Sequence, residues 1–217
     1  MPVFLQGENV YLSAVSLSNL SLLEHMTWIH DQEVTEFMES GTFTEDEDGL
    51  MDYINRVSAD GLFLRICCNS GSSSVYIGNI TLTQTSWINR TACIGIMIGN
   101  TNFWGKGYGT EAVNLLCEHA FSRMGLRKLW LGVNAEHKGA IRCYEKAGFI
   151  TEARLKAELF RNGHYDDKLI MSRFANYPTE RTDLDNKVTI REEHIDTSTV
   201  AGGSTKNFTL TDVLKGR

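Results

Sequence analysis

Three glycines at alternate positions, Gly105, Gly107 and Gly109, stand between a strand-like run and a helix-like run. An apolar run at 93–98 precedes them, and an amphipathic run at 112–121 follows. A strand that leads through glycines into a helix leaves several backbone N–H groups around one point, where the helix dipole also attracts negative charge. The junction therefore predicts an anion-binding loop, with a phosphate group as the expected anion.

Two common nucleotide-binding patterns do not fit this loop. A P-loop places Ser or Thr directly after the lysine to hold magnesium, whereas Gly107 follows Lys106 and Thr110 comes later. A Rossmann fingerprint spaces its glycines as Gly-x-Gly-x-x-Gly, whereas the spacing here is Gly-x-Gly-x-Gly. The loop alone is also compatible with a glycine-rich turn that binds nothing, so its function depends on the rest of the chain.

A second segment, at residues 134–149, gives the loop a partner. It begins with Asn-Ala-Glu-His and ends with the pattern Tyr-x-Lys-x-Gly-Phe at 144–149. Together the two segments resemble the acetyl-CoA site of the GNAT superfamily of N-acetyltransferases, over roughly residues 8–174. The chain is similar to the branch that contains ribosomal-protein amino-terminal, polyamine and amino-sugar acetyltransferases. The resemblance implies acetyl-CoA as the cofactor and a primary amine as the acceptor of its acetyl group.

The resemblance also implies roles for individual residues. Tyr144 would protonate the departing thiolate of coenzyme A; without the flanking motif it would be interpreted as a core residue. His137 stands where the family usually has asparagine, and would contact the cofactor or assist proton transfer; an exposed histidine without a role is the alternative, and Asn134 is a nearby substitute. Trp104 replaces the usual Arg or Gln, so phosphate contact is expected from backbone groups and Lys106. The expected cofactor-binding residues are Ile96, Ile98, Trp104, Gly105, Lys106, Gly107, Tyr108, Gly109, Thr110, Asn134, His137, Ala140, Tyr144 and Lys146.

The acceptor amine is expected near Trp28, Asp31 and Glu33, because this segment resembles the part of the branch that borders the acceptor pocket. The amine must be neutral to attack, yet an amine with a pKa of about 10.4 is only about 1 part in 2,500 neutral at pH 7. Asp31, Glu33, His30 or a chain of waters are candidates to remove its proton during direct attack in a ternary complex. A polyamine, an amino sugar and a protein amino terminus all remain open as acceptors, because the strand at 77–80 also resembles enzymes that act on nucleotide-linked amino sugars.

Charge is distributed unevenly along the chain, whose net charge is −6. No lysine or arginine precedes Arg56, and eleven acidic residues lie in the same span. Such a surface repels nucleic acid and attracts a cationic partner. A solvated helix face explains the cluster equally well, because a helix that begins at the capping box of residues 44–47 would place the acids at 45–48 in its first turn.

Periodicity predicts a mixed α+β (α/β) domain over residues 1–175. It is expected to form a GNAT-like central, mostly antiparallel sheet of about seven strands with about four helices. In the family, the strand before the glycine loop diverges from its neighbour and pairs with the pantetheine arm. Residues 176–217 are poor in aromatic residues. They predict an appended tail that is either disordered or docked on a neighbouring subunit, with a homodimer as an open prediction.

Composition narrows the setting. The five cysteines are odd in number and lack metal-ligand spacing, which favours reduced thiols, no metal site and a cytoplasmic location. No long apolar run or secretory leader is evident, so no membrane partner is expected. Two other classes stay open. A non-catalytic acetyl-CoA-binding module would show no amine-dependent thiol release, and an NTPase would require magnesium-dependent nucleotide binding.

Overall fold

The computed structural model describes residues 2–15, 22–40, 42–70 and 73–175. They lie within Met1–Tyr177, the first of the two units into which the chain divides, and the predicted tail falls outside them. The strands of this part are β1 (Val3–Gln6), β2 (Val10–Ala14), β3 (Leu62–Ser70), β4 (Ser73–Ser86), β5 (Thr91–Ile98), β6 (Lys128–Asn134), β7 (Ile150–Arg161) and β8 (His164–Phe174). Its α-helices are α1 (Leu22–Ile29), α2 (Gln32–Thr35), α3 (Glu47–Asp60), α4 (Tyr108–Ser122) and α5 (Lys138–Lys146).

The strands form one sheet in the order β1-β2-β3-β4-β5-β6-β8-β7. Every neighbouring pair is antiparallel except β5 and β6, which α4 connects as a crossover helix. The predicted mixed α+β class and mostly antiparallel sheet are confirmed. The described part holds eight strands and five α-helices rather than about seven and four. The additional elements, β1 and α2, have four residues each, too few for a periodic pattern to indicate them.

Strands β5 and β6 separate soon after they meet. They pair only at Thr91↔Lys128, Ala92↔Leu129 and Cys93↔Trp130. Beyond these pairs, β5 stays bonded to β4 as far as Ile98, and β6 stays bonded to β8 as far as Asn134. The two strands therefore enclose a V-shaped gap, with unpaired backbone of residues 94–98 along one side. The divergence expected before the glycine loop is present.

Helices cover both faces of the sheet, in two separate apolar clusters. One cluster includes the buried stripe of α4 with Leu116 and, from α5, Tyr144. The other includes Trp28 of α1, Ile54 of α3 and Met97 of β5. Because side chains alternate along a strand, β5 contributes to both clusters. We call the two sides the α4/α5 face and the α1/α3 face; the gap between β5 and β6 lies between them.

Helix α3 begins later than its capping box predicted. Asp46 is the N-cap residue, and its carboxylate accepts a hydrogen bond from the Gly49 backbone N–H at 2.9 Å. Only Glu47 and Asp48 lie in the first turn, so the expected set of four acids was wrong by two residues. Asp is at least as good an N-cap as Thr, and the later carboxylate therefore begins the helix.

Candidate active site

The glycine loop has the geometry of an anion cradle. Gly105 and Gly107 adopt φ values of +72° and +87°, and a Cβ atom on either would meet nothing within 4 Å. The left-handed backbone, rather than crowding, therefore requires glycine at both positions. Gly107 is the N-cap of α4 and supplies no side-chain cap, so the first N–H groups of the helix have no capping side chain there. These groups and the helix dipole suit a phosphate.

Trp104 and Lys106 flank the cradle in different ways. The Trp104 indole N–H donates to the Ile98 carbonyl at 2.7 Å, so it fastens the loop to the end of β5 and is already engaged. The exposed Lys106 ammonium lies 5.6 Å from the centre of the Phe103 ring. Tyr108 packs on the same ring, with centroids 5.8 Å apart. Lys106 is thus the cation that the loop presents to solvent.

Glu111 anchors the cradle, a role that the sequence did not reveal. Its carboxylate accepts hydrogen bonds from the backbone N–H groups of Asn9 at 2.8 Å and Val10 at 3.2 Å, and from the Asn9 side chain at 3.0 Å. A Cβ atom on Gly7 would lie 2.5 Å from this carboxylate. Burial alone would raise the pKa of Glu111, but these hydrogen bonds lower it overall. An ionised Glu111 therefore ties the start of α4 to the β1–β2 turn.

The first turn of α4 meets β5 and α5 at the edge of the gap. A Cβ atom on Gly109 would lie 3.8 Å from side-chain atoms of both Ile96 and Ile98, and 3.5 Å from the Cys143 sulfur. The Thr110 hydroxyl donates to the same sulfur at 3.4 Å. The half-buried Ala140 packs against the same cluster. Predicted cofactor residues from three elements are thus brought together.

Lys146, at the end of α5, belongs to a neighbouring cavity. Together with Gly107, Thr110 and Glu111 it lines a space of about 440 Å³ beside the start of α4. The structure therefore places Lys146 beside the start of α4, next to the cradle.

Tyr144 lies in the core of the α4/α5 face and is only 7% exposed. Burial raises the pKa of its phenol, and the thiols of Cys143 and Cys93 raise it further. The phenol therefore stays protonated and able to donate at neutral pH. Tyr144 packs in the same apolar cluster as Ile94, the residue that follows the last β5–β6 pair.

The end of α5 holds Tyr144 in place from the backbone side. Gly148 adopts φ +80°. Its N–H donates to the Glu145 carbonyl at 2.9 Å, and the Phe149 N–H donates to the Tyr144 carbonyl at 3.0 Å. These two bonds form a Schellman motif, in which glycine is the favoured residue.

Asn134 is buried at the corner between β6 and α5. Its amide nitrogen donates to the Asp166 carboxylate at 2.8 Å, and its carbonyl oxygen accepts from the Glu136 N–H at 2.8 Å. Both polar atoms of the side chain are thus used within the protein. Asn134 shapes the corner that leads to His137.

His137 stands at the start of α5 with its ring against an aromatic partner. The ring is stacked on Phe37, with centroids 4.5 Å apart and planes 15° apart. It makes no side-chain capping hydrogen bond to α5. Burial lowers the pKa of His137, and the nearby Glu36 partly offsets this. A neutral imidazole therefore connects the α5 corner to the segment after α2.

The three predicted acceptor residues occupy different environments. Trp28 is buried: its ring lies 4.7 Å from that of Tyr76, and a Cβ atom on Gly99 would be 2.0 Å from it. Asp31 is exposed and caps α2, accepting from the Glu33 N–H at 2.8 Å. Glu33 is exposed. Trp28 therefore packs against the residue that follows β5, whereas the carboxylates of Asp31 and Glu33 lie on the surface.

A buried polar network beside Trp28 was missed by sequence reasoning. Asn79 contacts the Nδ1 atom of His25 at 2.6 Å and accepts from the Tyr76 hydroxyl at 2.7 Å. Burial lowers the pKa of His25 to about 4, so its ring is neutral and Nδ1 accepts the bond. The guanidinium of Arg65 lies 4.3 Å from the centre of the Tyr76 ring. The network joins α1 to β4, and no periodic pattern connects residues so far apart in the chain.

No group of His, Cys, Asp and Glu side chains in the described ranges has a geometry that would hold a metal ion. Among the described helices, none is long and apolar enough to cross a membrane.

The sequence pattern of the Acetyltransferase (GNAT) domain matches residues 9–150. The chain is 32% identical over 104 residues to spermidine N(1)-acetyltransferase of Vibrio cholerae, a match that covers 46% of this chain and 60% of that protein. It is 35% identical over 99 residues to spermidine N(1)-acetyltransferase of Escherichia coli K12, covering 46% and 53%. The chain thus spans little more than half the length of these relatives.

Solved structures share the fold over a longer range. Spermidine N-acetyltransferase from Vibrio cholerae, in complex with CoA and spermine, aligns with a TM-score of 0.66 at 25% identity, covering 76% of this chain and 95% of that one. The microcin C7 self-immunity acetyltransferase MccE, in complex with acetyl-CoA and AMP, aligns with a TM-score of 0.64 at 21% identity, covering 78% and 94%. The second likeness concerns the fold alone.

Proposed function

The chain belongs to the GNAT acetyltransferase family, and we propose that it transfers an acetyl group from acetyl-CoA, the co-substrate of this family, to a primary amine. One observation carries the proposal. The anion cradle at Gly105–Gly107 follows β5, and the protonated Tyr144 packs in the same apolar cluster as Ile96 and Ile98, which border the gap between β5 and β6. A phosphate carrier with a long arm and a reactive thioester would use all three.

In this proposal the cofactor follows the gap. Its pyrophosphate sits on the N–H groups at the start of α4, with Lys106 as a cationic neighbour. The pantetheine arm runs along the unpaired backbone of residues 94–98, beside Ile96 and Ile98, in the manner of an added strand. The thioester then reaches the region of Tyr144, where the strands part.

The acetyl transfer itself needs two proton movements. The neutral amine attacks the thioester carbonyl, a C–N bond forms, and the C–S bond breaks to release the thiolate of coenzyme A. Tyr144 donates its phenolic proton to that sulfur, and burial keeps the phenol protonated until then. The proton of the amine leaves through water or through an exposed carboxylate such as Asp31 or Glu33, and a proton from solvent then restores the Tyr144 phenol. Attack within a ternary complex requires no covalent enzyme intermediate.

A polyamine is the acceptor that the observations favour. The exposed carboxylates of Asp31, Glu33 and Glu36 follow Trp28 closely in the chain, and a second ammonium group of the substrate would find favourable charge there. Two relatives of the chain are named spermidine N(1)-acetyltransferases. An amino sugar carried on a nucleotide would bring phosphates toward the same acids, which costs binding energy.

Thiol release from acetyl-CoA tests the proposal directly. The acceptors would be spermidine, a peptide with a free amino terminus, and a nucleotide-linked amino sugar. We expect release with spermidine at least tenfold faster than with the other two. Faster thiol release with another of these amines would support the transferase activity but identify that amine class as the acceptor. Binding of acetyl-CoA with no release from any amine would instead identify a non-catalytic binding module.

A further inference from the structure

Residues 28–38, here called the strap, cross the gap on the α1/α3 face. At one end, Trp28 lies on Gly99, directly after β5, and on Tyr76 of β4. At the other end, Phe37 stacks on His137, the N-cap residue of α5, which follows β6. The strap therefore connects the two halves of the sheet at the place where their strands have separated.

Arg161 holds the same end of the strap from a third element. This residue closes β7, next to the turn at 162–163. Its Nη1 atom donates to the carbonyl of Met38 at 2.5 Å and to that of Glu36 at 3.4 Å. Its Nε atom is buried without a hydrogen-bond partner among the described residues. A partly buried guanidinium is costly to leave unpaired, so these carbonyl contacts commit Arg161 to the strap.

His137 has the features of a packing partner rather than a proton carrier. One face of its ring is covered by Phe37 at 4.5 Å. Burial lowers its pKa, so a neutral ring is present at pH 7 and stacks without the cost of desolvating a charge. Its backbone, in contrast, takes part in the corner, since its N–H donates to the Asn134 carbonyl at 3.0 Å.

We propose that the Phe37–His137 stack and Arg161 form a clamp that fixes the strap over the acceptor side of the gap, and that His137 is a positioning residue for acceptor binding. The inference rests on the proposed function, because it assigns the strap to the amine acceptor. The clamp leaves the cradle of Gly105 and Gly107 untouched. Loss of the clamp should therefore weaken acceptor binding selectively and leave acetyl-CoA binding unchanged.

The test compares His137→Ala, His137→Phe, Arg161→Ala and the control Phe160→Ala in thiol release. Phe160 adjoins Arg161 on the same hairpin but is 64% exposed and packs on Tyr165 rather than on the strap. We expect His137→Ala and Arg161→Ala each to raise the KM for spermidine roughly five- to tenfold, with the KM for acetyl-CoA changed less than about twofold. The His137→Phe variant keeps an aromatic ring that can stack on Phe37, so its KM for spermidine should be close to that of the parent. The control should match the parent.

Hydrogen exchange of the free protein supplies a readout that does not depend on catalysis. Backbone amides at 36–38 should exchange faster in His137→Ala and Arg161→Ala, and at the parental rate in His137→Phe and Phe160→Ala. Unaltered exchange in the two Ala variants overturns the clamp. A loss of kcat in His137→Phe as large as in His137→Ala also overturns it, because proton transfer would then be the role of the ring. A parent that releases no thiol with any amine refutes the proposed function, while the exchange result still decides the clamp.

Discussion

The two sides of the β5–β6 gap are built in different ways. On the α4/α5 face the site consists of backbone and side chains from a continuous strand, loop and helix, joined by a second short segment around Tyr144. On the α1/α3 face it consists of contacts between distant parts of the chain. Examples are His25 with Asn79, Phe37 with His137, and the Arg161 side chain with the Met38 carbonyl. A phosphate carrier that all members of a family share suits a backbone cradle, whereas an acceptor that differs between members suits a wall of side chains. Substitutions on the α4/α5 face should therefore alter the affinity for acetyl-CoA and kcat. Substitutions on the α1/α3 face should alter the KM for the acceptor.

The largest expected effect is that of Tyr144→Phe. Removal of the phenolic hydroxyl takes away the proposed acid, which is worth about 10²- to 10⁴-fold in rate, while the ring keeps its packing against Phe149. We expect kcat to fall by that range and the Kd for acetyl-CoA, measured by calorimetry, to change less than about threefold. An unchanged kcat would show that Tyr144 is not the general acid, and the acid would then have to be sought on the acceptor side of the gap.

The second prediction concerns acid and His25. Burial lowers the pKa of His25 from 6.5 to about 4, so between these values the unfolded chain binds a proton that the folded protein refuses. The stability that depends on a neutral His25 is therefore complete above pH 6.5 and is lost as pH falls toward about 4. At about 1.36 kcal/mol per pKa unit, the loss is roughly 3 kcal/mol.

Urea unfolding of the parent and of His25→Gln, at pH 7 and at about pH 4.5, measures this loss. Gln keeps an acceptor for the Asn79 amide but does not titrate, so it should lose roughly 2 kcal/mol less on acidification than the parent. The lowered pKa values of His119 and His137 affect both proteins and cancel in the difference. If acidification lowers the free energy of unfolding equally in both proteins, the buried network of His25 on the α1/α3 face does not cause the acid sensitivity of the protein.

The same contrast explains what could be read from the sequence. The glycine spacing, the strand before it and the helix after it are local features of the chain, so the cradle could be predicted from them. The separation of β5 from β6 was implied by the family resemblance. The stack of His137 on Phe37 joins residues one hundred positions apart, and neither residue type signals the other. The sequence assigned Trp28 to the acceptor side, a prediction that stands, and its burial against Gly99 depends on a close approach that only the folded chain shows. Short elements such as β1 and α2 were missed because four residues carry no period.

A smaller effect is expected from the backbone of the cradle. Gly107→Ala forces an alanine into the left-handed region at φ +87°, which costs about 1–2 kcal/mol. The loop should relax away from this geometry and raise the Kd for acetyl-CoA about tenfold, with the KM for spermidine nearly unchanged. Gly139→Ala is the matched control, because its Cβ atom would lie 3.8 Å from the His137 ring, an ordinary contact, within the helix α5. Equal affinities in the two variants would contradict a cradle that depends on left-handed glycine.

The smallest effect tests how far the cradle depends on charge. Lys106 is exposed and its ammonium lies near the Phe103 ring, so its attraction for a pyrophosphate is screened by solvent and salt. Lys106→Gln should raise the Kd for acetyl-CoA only about two- to fivefold at low ionic strength, and the difference from the parent should nearly vanish at about 0.5 M salt. Calorimetric titrations at the two salt concentrations measure both values. A much larger loss of acetyl-CoA affinity, or a loss that persists in high salt, would mean that the Lys106 side chain holds the phosphate. The proposed contrast between a cofactor site built from backbone and an acceptor site built from side chains would then be wrong.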